Sequence, residues 1–260
     1  MGGMNKACPG VFGAALLLLA CAPARAEPAI VSLARAYLGP ESTLDSLQSI
    51  HYVGSLDRTE TGPKALPPSH STLDMVFVKP LRQRLVVRGA NVTFTTVLDG
   101  YDAWDLQAPN ADPSRFRLRW MPAADIKKLR ANTWENLYYY RADEGGAVED
   151  KGGATIDGIA CERVDFSHGE GIVYARYFDR DTGRLVLTVR DSDSFRESGE
   201  VRVEGIRFPK SIVSVSTGRS GITVTSTATF ERITINEPLD PELFARPNLA
   251  PGTSAVAQPK

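Results

Sequence analysis

The sequence predicts a mostly β, α+β protein built on an extended antiparallel sheet. Three observations predict it. Long stretches alternate apolar and polar residues with period two and are rich in β-branched and aromatic side chains. Short Asp, Gly, Asn and Ser clusters separate these stretches at hairpin spacing. Two segments carry the three-to-four-residue apolar spacing of an amphipathic helix.

The chain begins with a segment that stands apart from the fold. Lys6 precedes the apolar run VFGAALLLLACA (11–22), and Ala24-Arg25-Ala26 is a small-x-small cleavage site before Glu27. Residues 1–26 therefore read as a secretory signal peptide, too short to span a membrane. Leu18-Leu19-Ala20-Cys21 also resembles a bacterial lipobox, so Cys21 is a candidate lipidation site and lipid anchoring the alternative to release. No other stretch approaches a membrane span. Of the three cysteines, cleavage after Ala26 leaves only Cys161, which excludes an intrachain disulfide and places the burden of stability on the core. Loss of Lys6 and Arg25 leaves 28 of the 30 basic residues against 31 acidic ones, which gives no electrostatic footprint for nucleic acid.

In chain order, 28–38 reads as a short helix. Pro28 suits its first turn, Ile30, Leu33, Ala34, Tyr37 and Leu38 share a side, and Gly39 follows as a cap. Residues 41–47 add a turn. Strands are expected over 49–59, 72–78, 83–88, 92–98 and 101–106, with Lys79-Pro80, Gly89-Ala90-Asn91 and Asp99-Gly100 as turns. One strand face carries Leu73, Met75, Phe77, Leu85, Val87, Phe94, Thr96 and Leu98. The other mixes Asp74, Arg84, Arg88, Thr93 and Thr95 with Val76, Val78, Val86 and Val97, so both faces are expected to be partly covered. The main helix is expected over 121–141, with Ile126, Leu129, Thr133, Leu137 and Tyr140 on its buried side and Lys127, Lys128, Arg130 and Glu135 on the other. Such a helix either packs on the sheet as ordinary core or shares a cavity with a concave sheet.

Residues 143–155 read as a Gly/Glu/Asp loop. The meander of 159–235 follows: 159–164, IVYARYFD (172–179), the turn Arg180-Asp181-Thr182-Gly183, RLVLTVRD (184–191), Val201 and Val203 alternating with Arg202 and Glu204, then 212–215 and 222–235. Pro238 ends the last strand, Pro241-Glu242-Leu243-Phe244 suggests one helical turn, and 248–260 reads as a disordered tail.

No catalytic constellation is present. His51, His70 and His168 lack partners at zinc-ligand spacing and read as structural or surface residues. The sequence has no GxSxG, GxxxxGK[ST] or GxGxxG, which removes support for serine hydrolysis and phosphate binding. Asp179-Arg180-Asp181-Thr182-Gly183 lacks the distal glutamate of a calcium loop and reads as a hairpin turn.

An ordered set of phrases carries a family resemblance: ARAYLG (34–39), SIHYVGSL (49–56), VLDGYDAWDL (97–106), DGIACERVDF (157–166), RYFDRDTGRLV (176–186), VEGIRFPKSI (203–212) and ITINEPLDPELFARP (233–247). In this order they resemble the LolA/LolB-like superfamily, of the type known as outer-membrane lipoprotein-sorting proteins. The resemblance covers most of 27–247. It implies an unclosed half-barrel, a curved antiparallel sheet with helices on its concave side around an apolar cavity for acyl chains. It implies a non-enzymatic periplasmic carrier or chaperone for a lipid or lipidated protein, without cofactor or metal, and with an inner- or outer-membrane protein as a possible partner. The alternative is a cell-envelope sensing or protein-interaction module with the same fold. The cavity lining expected from the fold is Met75, Phe77, Leu85, Phe94, Trp104, Trp120, Trp134, Leu137 and Tyr138. The family's chaperones hold their closed state with an arginine, for which Arg84 and Arg88 are the candidates here.

Overall fold

The computed structural model describes residues 27–169, 171–218 and 221–247. The signal segment with Cys21 and the tail at 248–260 lie outside the described residues. Among the described residues three helices, α1 (Ala29–Leu38), α2 (Glu41–Ser46) and α3 (Ala123–Leu137), accompany fifteen strands. The first six are β1 (Ser49–Thr61), β2 (Ser69–Val78), β3 (Arg82–Arg88), β4 (Val92–Asp99), β5 (Asp102–Pro109) and β6 (Arg117–Trp120). After α3 come β7 (Ala147–Ile156), β8 (Ile159–Ser167), β9 (Val173–Asp179), β10 (Leu185–Arg190) and β11 (Asp193–Ser198). The last four are β12 (Val201–Val203), β13 (Ile206–Phe208), β14 (Ser211–Thr217) and β15 (Thr223–Ile235).

Thirteen of these strands form one antiparallel sheet in the order β6-β5-β4-β3-β2-β1-β15-β14-β11-β10-β9-β8-β7. Strands β6 and β7 are its two free edges, so the sheet curves without closing into a barrel. The topology explains where α3 lies. The chain leaves the sheet at one edge and re-enters it at the other, so the connection must cross the open side. Helix α3 packs there on β2, β3 and β4.

The strand faces follow the expected alternation. Leu73, Met75 and Phe77 stand opposite Val87, Leu85 and Gln83, and these in turn opposite Phe94, Thr96 and Leu98. The reverse face is covered at one end, where Val76, Val97, Trp104 and Leu118 pack around Phe244 of the 3-10 turn Pro241–Phe244. That turn is capped by Asp240, whose carboxylate accepts the Glu242 N–H at 2.9 Å.

Four segments depart from the sequence reading. Strand β7 replaces the expected loop at 143–155: its glycines and charges suit an edge strand, which pairs with β8 alone and bulges at Asp150/Gly152. Strands β6 and β11 were not expected as strands, because each is short and its polar residues mask the alternation. Val201 and Val203 do not continue the meander. They form the separate hairpin β12–β13, turned through Glu204 (φ 47°) and Gly205 (φ 88°), a two-residue turn that needs left-handed backbone at both positions. Burial of Ile206 and Phe208 in the main core draws this hairpin off the sheet plane, and the Gly205 carbonyl sits against Gly39 at the end of α1.

A buried arginine ties the N-terminal helices to the end of α3. Arg35 is 4 % exposed. Its Nη1 donates to the carbonyls of Tyr138 (3.1 Å) and Tyr139 (2.5 Å), and its Nη2 donates to Glu41 at 2.7 Å. Tyr139 (φ 44°) and Tyr140 (φ 69°) are left-handed, a conformation that bulky residues adopt only when their surroundings hold it. Arg35→Met removes that hold and strands two buried carbonyls; it is expected to cost about 3 kcal/mol in chemical denaturation.

Candidate functional site

Between the concave sheet face and its cover lies a cavity of about 440 Å³. Its floor follows from the register. Tyr52 pairs with Met75 and Met75 with Leu85; Leu56 pairs with Ala228 and Ala228 with Ile212. These side chains share one face, joined by Leu73, Val87 and Phe230. Farther along the sheet the floor turns polar. Phe195 and Glu197 of β11, Thr188 and Arg190 of β10, and Tyr174 and Arg176 of β9 face the same space. The cover consists of Leu38 of α1, Asn132, Glu135 and Asn136 of α3, Tyr139 and Tyr140 beyond it, and Phe208 and Pro209 after the hairpin.

The helix-facing assignment of Glu135 is thereby corrected. It is 7 % exposed, not on the outer side of α3. Its Oε1 lies 2.6 Å from His168 Nε2, and its Oε2 pairs with Arg176 Nη2 at 2.5 Å. His168 Nδ1 lies 3.0 Å from Asp143. Of the two readings of His168, surface or structural, the structural one holds: its side chain is 2 % exposed between two carboxylates. Burial disfavours the charged ring, but the hydrogen bonds and charges of Glu135 and Asp143 outweigh it and raise the His168 pKa. The Arg176 guanidinium lies 4.6 Å from the Tyr140 ring centroid and 5.3 Å from that of Phe166. Arg190 donates to the Tyr174 hydroxyl at 3.2 Å and pairs with Asp193 at 3.3 Å.

Of the residues expected to line the cavity, Met75, Phe77 and Leu85 do so. Phe94 shares their face, opposite Val87, but lies outside the cavity and is 51 % exposed. Trp104 pairs with Val97 and is buried on the reverse face beneath Phe244, and Trp120, its neighbour on β6, is exposed beside Arg246. Trp134 and Tyr138 stack on each other with centroids 3.6 Å apart, away from the cavity, and Leu137 is fully buried in the core beside it. Arg84 pairs with Asp74 on the reverse face, and Arg88 shares that face, so neither points into the concave side. The polar wall was missed because its residues come from strands whose charges read as solvated.

The site sets charged and hydroxyl groups beside an apolar floor. Cys161, the one free thiol among the described residues, is buried, and burial raises its pKa. Among the described residues no group of three or more His, Cys, Asp or Glu is placed to hold a metal ion, and no helix is long and apolar enough to cross a membrane.

No family model matches the sequence, and no curated protein matches it. Solved structures do. A LolA superfamily protein from Nitrosomonas europaea superposes with a TM-score of 0.54 at 10% identity, over 84% of this chain and 96% of that one. A putative outer membrane lipoprotein-sorting protein domain from Vibrio parahaemolyticus gives a TM-score of 0.53 at 8% identity, over 83% of this chain and 95% of that one. The chain therefore has the LolA-like fold, an unclosed antiparallel half-barrel with helices against its concave side.

Proposed function

We propose that this protein is a non-enzymatic periplasmic carrier or chaperone, which holds the acyl part of a lipid or lipidated protein in the cavity between sheet and helices. The observation that carries the reading is the cavity itself. About 440 Å³ lies within the ~300–1,000 Å³ range of ligand sites, and its floor over β1–β3, β14 and β15 is lined by aliphatic and aromatic side chains. Each methylene withdrawn from water there contributes about 0.8 kcal/mol, so one acyl chain supplies ample affinity without a cofactor. Met75 and the leucines around it give an adaptable wall. The likeness to lipoprotein-sorting folds supports the same reading. The residues we assign to the acyl chain are Met75, Phe77 and Leu85 together with Leu56, Leu73 and Val87.

Native mass spectrometry of the protein isolated from periplasm, with the N-terminus read in the same spectrum, tests this. Lipid-sized adducts that are lost on delipidation and restored by added lipid are expected. A clean mass that refuses lipid would sink the carrier and leave an interaction module. The N-terminal residue, Glu27 or a lipidated Cys21, distinguishes release from anchoring. Ala228→Trp supplies the matched control: its indole projects into the cavity between Leu56 and Ile212 and is expected to abolish the adducts while shifting stability by no more than about 2 kcal/mol.

A further inference from the structure

Polar atoms on the cavity wall lack hydrogen-bond partners, among them the Arg207 Nε. Glu197 lies on the cavity side of β11 with Phe195, and among the described residues no hydrogen bond or ion pair reaches it. Glu197 is an exposed residue that lines the cavity. The desolvation that neighbouring protein imposes on its carboxyl raises its pKa, with the Arg176 charge pulling the other way. Arg176 is 7 % exposed, and its Nε and Nη1 have no acceptor. The Tyr139 hydroxyl, on the same cavity, is buried without a partner.

Buried polar groups are nearly always satisfied, and on this wall the Arg176 Nε and Nη1, the Arg207 Nε and the Tyr139 hydroxyl are not. Here a carboxylate and a half-satisfied guanidinium face one space without meeting, and both sit beside the apolar floor. Resting on the carrier reading above, we propose that this gap receives the head of a single-chain zwitterionic amphiphile, its ammonium on Glu197 and its phosphate on Arg176. The acyl chain then runs over Leu56, Leu73, Met75 and Leu85, and the Tyr139 hydroxyl donates to the phosphate or its ester oxygens. Charge-assisted hydrogen bonds at both ends of the head match sign to sign. A purely anionic head satisfies Arg176 while standing against Glu197, and an uncharged glycerol head leaves Glu197 without a cation and the Arg176 Nε and Nη1 without a charged acceptor. A cavity near the low end of the ligand-site range suits one chain rather than two.

The test uses the full mature chain, delipidated, and calorimetric titration with three palmitoyl probes below their micellar concentrations: lysophosphatidylethanolamine, lysophosphatidylglycerol and monopalmitoylglycerol. The zwitterionic probe is expected to bind at least tenfold more tightly than either of the others. Glu197→Gln is expected to erase its advantage over lysophosphatidylglycerol while monopalmitoylglycerol binds as before, which shows that the variant is folded and its acyl site intact. Equal affinity for the three probes, or an advantage that survives in Glu197→Gln, overturns the head-group assignment and leaves the carrier reading standing. Tighter binding of an N-palmitoylated peptide without a zwitterion overturns it in favour of a lipidated protein. Binding of none of them removes both.

Discussion

Replacing Glu135 by leucine is expected to destabilise the protein by about 3–5 kcal/mol, the usual cost of removing one partner from a buried charge cluster. Glu135 is the shared anion of two cations. Its two carboxylate oxygens engage His168 and Arg176, and all three side chains are at least nine-tenths buried. Leucine fills the volume but leaves Arg176 against the Tyr140, Phe166 and Tyr174 rings without its anion, and leaves His168 with Asp143 and the Tyr174 ring. Glu135→Gln, which keeps the shape and some hydrogen bonding, is expected to lose less. The pH dependence separates a charged cluster from simple packing. The folded-state pKa of His168 is raised above its ordinary value near 6.5, so the stability it contributes is fully present below that value. It is lost as pH rises through the folded-state pKa. Thermal melts of the wild type are therefore expected to fall from about pH 6.5 upward. In Glu135→Leu that slope should flatten, because the principal acceptor that holds the proton is gone. A wild-type profile that is flat over this range, or a leucine variant as stable as the wild type, would rule out a charged imidazole here.

The cluster also marks the limit of what the sequence discloses. Which face of β2, β3 and β4 turns inward was legible, because the pleat forces alternate residues to opposite sides and the apolar set is dense. Trp104 was legible too, had the hairpin been followed through. The turn at Gly100 and Tyr101 joins Asp99 to Asp102, so Trp104 must face Val97, which already belonged to the reverse face. Glu135 was not. A glutamate on an amphipathic helix reads as solvated unless its partners are known, and those partners lie just past the end of β8 and on β9, beyond the edge-to-edge crossing. The same holds for Glu197. Strand β11 reads SFRES after its first residue, with too little apolar alternation to announce a strand, so its inward carboxylate could not be placed. Local pattern fixes the pleat; the curvature of the sheet decides which distant charges meet inside it.

That curvature rests on Gly54, and Gly54→Val is expected to prevent folding, with Gly54→Ala costing about 3 kcal/mol or more. Strands β1 and β15 are the longest in the sheet, at 13 residues each, and they join the half of the sheet built before α3 to the half built after it. Their register shifts between Val53 and Gly54: Val53 faces Arg232 and Gly54 faces Phe230, which leaves an extra residue on β15. Such a bulge bends and further twists the pair. The bend brings β15 so close that a Cβ on Gly54 would stand 1.9 Å from the Thr229 carbonyl oxygen and 3.0 Å from the Phe230 Cα. Both obstacles are backbone, so no rotamer change relieves them; the two central strands must separate or the bulge must vanish. Gly89 provides the control, because a Cβ there meets its nearest neighbour, the Val92 carbonyl oxygen, at an ordinary 3.5 Å. Gly89→Ala is expected to stay within about 0.5 kcal/mol of wild type in the same urea titrations. A Gly54→Ala midpoint equal to that of Gly89→Ala would show that the bulge can move along β1. The concave face would then owe its shape to the helices it carries rather than to the close approach of β1 and β15.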